Sequence, residues 1–460
     1  MKFKLTPLEK KWILYDVGNS AFAMLTATIL PIYFNYLAKK AGLSSVDYLS
    51  YWGYAVSICT LLIAIMGPIL GAIADVKDLK KKLFELFLLL GVFGCAMLGF
   101  IPSWFFFLIV FILTNTGYSA SLIFYDAMLT DVTEPKRMDT VSSQGFAWGY
   151  IGSCVPFTIG LAFVLFASKL GISLQKAMTI AFVITAFWWL LTTLPLLKAY
   201  QQRYYVEKTE KMVSSSMRRL KTTIKNVYRN KKVFTFLLAY FFYIDGVFTV
   251  IDMATAYGQA LGLDSSGLLL ALLVTQIVAF PSVLILNELA KKISSTTIIT
   301  ICIIAYLGIS LYAYTMKTQL DFWILAIAVG MFQGTIQALS RSYFGKIIPA
   351  EKSGEYFGLY DIFGKGASIL GTIIVSLVSQ LTGNLNLSVS ALSILFLIGL
   401  FLFRKAVRLN QKNIPSAVKQ QTSEMQKSPC QNGKGFLSMS DFPFSASEKN
   451  SLENDEQYYE

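Results

Sequence analysis

The chain of 460 residues contains no histidine. That absence removes the Ser-His-Asp triad, the Cys-His pair, histidine-ligated zinc and haem, and the imidazole general base. Charge is scarce as well. Asp, Glu, Lys and Arg make up 15% of the residues, against about 25% in soluble domains. Cys59, Cys95, Cys154, Cys302 and Cys430 stand apart with no Cys-x-x-Cys, so neither a disulfide framework nor a zinc site is indicated. No Gly-x-x-x-x-Gly-Lys-[Ser/Thr] loop occurs, which excludes ATP binding by a P-loop. No nucleophile-base set is visible and no cofactor is indicated. The chain does not read as an enzyme.

Apolar surface is what the chain has in abundance. Hydrophobic residues account for 55% and the mean hydropathy is +0.56. Twelve mostly apolar stretches, the first near 12–38 and the last near 387–404, reach the roughly 20 residues that a helix needs to cross a bilayer. Open strands cannot satisfy their backbone in lipid. A barrel would show alternating segments of about 10 residues. The expected fold is therefore an all-α membrane protein with twelve transmembrane helices. The first stretch follows Lys2, Lys4, Lys10 and Lys11 like a signal peptide, but it is too long and contains Asp16. A retained first helix is the better reading.

Loops on one side, 1–11, 76–82, 131–143, 198–232, 291–296, 345–354 and 405–460, carry most of the Lys and Arg. The other side holds Lys39, Lys40, Lys169, Lys176 and Lys317. The positive-inside rule then places both termini in the cytoplasm. The same bias accounts for the net charge of +13, so the basicity is topological and nucleic acid is not an expected partner. The spans divide into an N-terminal six-helix half, 1–197, and a C-terminal half, 233–404. Between them, 198–232 is a basic linker, read either as an amphipathic helix on an anionic leaflet or as a solvated connection. Residues 405–460 are polar and poor in apolar residues, which predicts a disordered cytoplasmic tail. Gly71 and Asn287, Pro135 and Pro349, and Gly145 and Gly358 lie at offsets of 216, 214 and 213. Near-equal offsets at matching places argue for a duplicated unit and pseudo-symmetric halves.

Ionisable residues inside the spans are the informative ones, since each costs roughly 2.5–3.5 kcal/mol at a helix centre. Asp16, Asp126, Asp245, Asp252 and Asp361 face only Arg341 and Lys365. Pairwise neutralisation is impossible, so some carboxylates must meet water, a proton, a cation or an ammonium group. Asp245, Thr249 and Asp252 fall at i, i+4 and i+7 on one helical face, and Asp16 and Asn19 share another. Gln333, Gln337 and Arg341 form a polar stripe ending in a fixed cation. Asp126 and Arg341 lie within one residue of repeat-equivalent positions. Asp361 and Lys365, at i and i+4, either form an ion pair along their own helix or serve the pathway. Arg341 is either a structural partner of a carboxylate or part of the pathway. With no histidine, proton coupling falls to such carboxylates, Asp245 and Asp126 first.

Four segments carry a resemblance. Leu14-Tyr-Asp-Val-Gly-Asn-Ser-Ala-Phe22, Tyr243-Ile-Asp-Gly-Val247, Gln333-Gly-Thr-Ile-Gln-Ala-Leu-Ser-Arg-Ser342 and Glu355-Tyr-Phe-Gly-Leu-Tyr-Asp-Ile-Phe-Gly-Lys365 resemble, in order, motifs of the vacuole-effluxer-like family of the major facilitator superfamily. Gly71-Ala-Ile-Ala-Asp75 with Lys80, Lys81 and Lys82 resembles the superfamily's cytoplasmic gating loop, though the usual second Gly is missing. The second-half copy, Asn287-Glu-Leu-Ala-Lys291, is degraded and reads as a solvated loop. The resemblance implies the major facilitator fold, with helices 1, 4, 7 and 10 around a central cavity. Asp16, Asn19, Asp126, Asp245, Asp252, Gln333, Gln337 and Arg341 lie on those helices. It also implies a secondary transporter of a small molecule, an amino acid before a sugar or nucleoside. An α-carboxylate would suit Arg341, and an α-ammonium would suit Asp245 or Asp126. A non-transporting scaffold or sensor is the alternative from another class. The expected location is the plasma or inner membrane, with a vacuolar membrane as the alternative.

Overall fold

The computed structural model describes residues 4–43, 45–208, 212–260, 263, 265–365 and 368–411. The helices are α1 (Pro7–Ala27), α2 (Ile29–Lys40), α3 (Ser45–Ala74), α4 (Leu79–Leu98), α5 (Trp104–Ala127), α6 (Leu129–Val132), α7 (Met138–Leu165), α8 (Leu174–Ala199), α9 (Met212–Arg229), α10 (Lys231–Ala260), α11 (Ser265–Ile293), α12 (Ser295–Tyr312), α13 (Gln319–Ile347), α14 (Ser353–Lys365), α15 (Ser368–Thr382), α16 (Leu385–Ser390) and α17 (Ser393–Gln411). Among the described residues the β-structure is a single isolated bridge between Val76 and Val206.

Local chemistry sets several boundaries. Thr6 and Glu9 form a capping box with Pro7 in the first turn, so α1 starts before its apolar run. Thr318 and Asp321 cap α13 in the same way. Ten described segments are long and apolar enough to cross a membrane. Two of the twelve expected spans fall outside that set. α4 opens on Lys80, Lys81 and Lys82 and carries Glu85. The eleventh expected span includes residues 366–367, which lie outside those described. Large apolar side chains such as Phe93, Phe187 and Phe401 stay exposed on the helix surfaces, as lipid contact permits.

The buried apolar residues form two main cores. One is built from residues between Trp12 and Tyr200, the other almost wholly from residues between Val227 and Ala406. One hydrogen bond recurs in both. Tyr15 on α1 meets Ser121 on α5 at 2.6 Å, and Tyr243 on α10 meets Ser340 on α13 at 2.6 Å. The matching bonds agree with a repeated unit. Within the linker, α9 packs on the rest of the protein. α9 buries Leu220, Thr223 and Val227 and exposes Arg218, Lys221, Lys225 and Arg229. At the other end, α17 runs to Gln411, so helix continues into the segment expected to be tail. The rest of that segment lies outside the described residues.

Candidate functional site

Arg341, on α13, is 4% exposed. Its guanidinium gathers the charges that the first half contributes. Nη1 donates to Asp126 Oδ1 at 3.0 Å and Nη2 to Asp16 Oδ2 at 3.2 Å. Nε donates to Ser142 Oγ at 2.9 Å, and Nη2 also donates to the Ser142 carbonyl at 3.2 Å. The Phe146, Trp12 and Tyr125 rings lie 4.4, 4.8 and 5.5 Å from the guanidinium carbon. Such faces attract a desolvated cation. Trp12 is held in turn by donating Nε1–H to the Tyr125 carbonyl at 3.1 Å. Asn19 donates to Asp16 at 3.3 Å. Gly145 on α7 makes the assembly possible, because a Cβ there would fall on Asp16 Oδ2.

Two carboxylates and one guanidinium leave a formal charge of −1. The Asp16 side chain is 8% exposed and that of Asp126 is 21% exposed, so the surplus is most accessible at Asp126. Arg341 is largely committed to protein partners. Four of the five N–H donors of a guanidinium are already engaged by protein oxygens.

Farther along α13, Gln337 donates to the Tyr150 hydroxyl at 3.4 Å and to the Gln333 carbonyl at 3.0 Å. Gln333 is buried, and its Nε2 has no hydrogen-bond partner among the described residues. Asp245 and Asp252 do not join the Arg341 cluster. Asp245 is buried against α15, whereas Asp252 is exposed, so their shared helical face divides. Asp361 is half-buried on α14. Its expected pairing with Lys365 lies outside the described residues, since that lysine's side chain is among those not described.

A second constellation closes the end of the molecule that carries the basic loops. Asp75 follows α3 and caps the start of α14 from the other half, accepting from the N–H groups of Gly354 at 2.7 Å and Glu355 at 2.9 Å. Lys80 is fully buried and pairs with Asp131 at 3.0 Å while donating to Ser353 at 2.9 Å. Asp131 also accepts from Tyr200 at 2.5 Å. Burial pushes the Asp75 carboxyl up to about 7, against the opposing pull of the Lys80 ammonium and the two N–H groups. α9 adds a strap. Arg219 pairs with Glu355 at 3.3 Å and donates to the Ala72 carbonyl at 2.7 Å, and Thr223 donates to Glu355. Asp139 accepts from Ser342, Lys346 and Ser295. Of the expected gate residues, Asp75 and Lys80 take part. Lys81 pairs instead with Glu85 at 3.9 Å on its own helix, and Lys82 is exposed.

Residues without a sequence signal complete both sites. Ser142 lies on a helix with nothing to distinguish it from its neighbours. Trp12, Tyr125 and Phe146 were three aromatics among many. Glu355 sits inside a recognisable motif without its pairing being legible.

The family described as "Vacuole effluxer Atg22 like" matches residues 8–136 and 130–414. An "Uncharacterized MFS-type transporter YxiO" of Bacillus subtilis (strain 168) is 45% identical over 405 residues, covering 87% of this chain and 95% of that protein. "Autophagy-related protein 22" of Saccharomyces cerevisiae (strain ATCC 204508 / S288c) is 25% identical over 295 residues, 55% of each chain. Among solved structures, the major facilitator transporter FucP in the outward conformation superposes with a TM-score of 0.64 at 14% identity, covering 87% of this chain and 97% of that one. A bacterial homologue of the iron transporter ferroportin in an outward-facing state gives 0.62 at 15% identity, covering 87% and 98%. At these identities the structural likeness shows the fold alone.

Proposed function

Because the chain belongs to the vacuole effluxer Atg22-like family of major facilitator transporters, we propose that it moves a small amino acid-like solute across its membrane by alternating access. The Arg341 cluster carries this reading. It holds one surplus negative charge between helices of the two halves, with Asp126 the more accessible carboxylate. An α-ammonium group offsets that charge. The paired Arg341 holds the two carboxylates together and is not the docking point for the solute's own carboxylate. A proton or cation gradient drives the movement.

The contacts at the basic-loop end support a cycle in which that end opens and closes. Asp75 joins α3 to α14, Lys80 reaches Ser353, and Asp139 reaches α13. Rocking the halves apart there requires those bonds to break. The charge bias of the loops places that end and both termini in the cytoplasm. The exposed basic side of α9 faces an anionic leaflet, in a plasma or inner membrane before a vacuolar one.

Purified protein in detergent, screened for thermal stabilisation against amino acids, sugars and nucleosides, tests the reading. A ligand at 100 times its Kd stabilises the folded state by about 2.7 kcal/mol. Amino acids are expected to raise the unfolding midpoint and to exchange across proteoliposomes. Stabilisation by a sugar or nucleoside alone would replace the solute class. Absence of flux for every class would favour a scaffold or sensor.

A further inference from the structure

Asp245 is a carboxylate that the central cluster leaves out. It is 0% exposed on α10. Oδ1 accepts from the Gly371 N–H at 2.9 Å and from the Thr249 hydroxyl at 3.3 Å. Oδ2 has no hydrogen-bond partner among the described residues. Gly371 lies on α15, which packs against α10 at this point. Its lack of a side chain lets the two helices close up, since a Cβ there would meet Thr249 Oγ1 and lie 2.8 Å from Asp245 Oδ1.

The charged groups on the helices around α10 are directed elsewhere. On α13, Arg341 is held by Asp16 and Asp126, and Lys346 by Asp139. On α9, Arg219 is held by Glu355 of α14, and on α11, Lys291 pairs with Glu288. Asp361 of α14 is half-buried. On α10 itself, Asp252 is exposed, Tyr243 bonds Ser340, and Tyr240 stacks on Tyr360. Tyr306 of α12 stacks on Phe396 of α17, and Phe396 packs on Gly246 beside Asp245. Among the described residues, then, no cation balances an ionised Asp245. A bare buried carboxylate is costly, and a proton on Oδ2 removes its charge.

A cavity lies one hydrogen bond from Asp245. Thr249, which donates to Asp245, lines a mostly apolar cavity together with Met253, Gln276, Gln333 and Val375. Thr249, Met253, Gln276 and Val375 lie nearer the helix ends away from the basic loops, and Gln333 lies at mid-helix. We propose that Asp245 is a proton-carrying site of the cycle, separate from the Arg341 cluster and loaded from that cavity past Thr249. A hydronium ion in the cavity gives up its proton: one of its O–H bonds breaks as an O–H bond forms at Oδ2, leaving water, and the reverse step returns the proton. No other bond changes. The coupling role rests on the transport reading above. The protonation does not.

Two measurements on full-length protein separate these. Infrared difference spectra of the wild type between pH 4 and 9 are expected to show a carboxylic C=O band that titrates. Asp245→Asn is expected to lose one component of that band and to keep the component from Asp75. Thr249→Val, which keeps the carboxyl group, is expected to move its midpoint by about half a pH unit or more. Titrating band intensity in Asp245→Asn equal to that of the wild type overturns the proposal, as does the lack of any titrating band in the wild type. In proteoliposomes, a mixture of the standard L-amino acids is the probe. Asp245→Asn is expected to retain exchange at equal concentrations and to lose at least tenfold of the accumulation driven by a pH gradient. Undiminished pH-driven accumulation, or accumulation driven only by a sodium gradient, overturns the coupling. If no amino acid exchanges even with the wild type, the transport reading fails while the infrared result still decides whether Asp245 carries a proton.

Discussion

A side chain at Gly145 would have to occupy space already held by Asp16. Gly145→Ala therefore displaces a carboxylate from Arg341, and the expected loss is about 1–3 kcal/mol of stability, as for other overpacked sites. Gly53→Ala is the control, because a Cβ there meets nothing within 4 Å; it is expected to stay within about 1 kcal/mol of wild type. Thermal unfolding in detergent compares the two. The Arg341 pairs invite a second test of the same kind. Arg341→Gln leaves Asp16 and Asp126 together without a cation, and breaking a buried pair from one side costs about 3–5 kcal/mol. Adding Asp126→Asn returns the formal charge of the cluster to −1 and is expected to restore part of that loss. A double variant less stable than the single one would show that charge balance is not what Arg341 supplies.

Between elements, the contact from Asp75 to the start of α14 has a defined pH response. Burial lifts this carboxyl to about 7, against about 3.9 in an unfolded chain. Between those values the folded state binds a proton that the unfolded state has released. The contribution to stability is complete below about pH 4 and is lost as pH rises through about 7. The wild-type stability minus that of Asp75→Asn should therefore fall from pH 5 to 7 and level off above about pH 8, as read by denaturant unfolding. A flat difference would show that Asp75 stays ionised throughout. α9 responds to lipid instead. Arg218, Lys221, Lys225 and Arg229 share its exposed side with Met217, Ile224 and Tyr228, and each basic residue near an anionic surface is worth about 1 kcal/mol. Replacing all four by Gln should shrink the difference in unfolding midpoint between nanodiscs of phosphatidylglycerol and of phosphatidylcholine. Replacing Lys39 and Lys40, at the opposite end, should leave it unchanged.

For the whole molecule, orientation is directly measurable. With the native cysteines replaced, Lys40→Cys should react with an impermeant maleimide from outside the cell. Lys136→Cys should react only after permeabilisation. Reversed labelling would invert the topology and the direction assigned to both constellations. Much of this scale was legible from composition. Apolar length, the loop bias of Lys and Arg, and the cost of Asp16, Asp126, Asp245 and Arg341 in the spans are local properties that need no folding to be read. The alternation between helix and loop follows from them, because lipid forbids an unpaired backbone. The partners of those charges were not legible. Asp16 and Arg341 are 325 residues apart, and nothing near either one says that Ser142 and Phe146 will stand between the halves with them. The same limit separated Asp245 from Asp252, whose helical spacing matched but whose surroundings differ. It also left the linker undecided until α9 was seen bound to Glu355 and Ala72. Sequence by itself determined where charge must be compensated, since desolvation cost depends on depth in the membrane. Only the tertiary structure decided which group compensates it, because that depends on which helices the fold brings within hydrogen-bond reach.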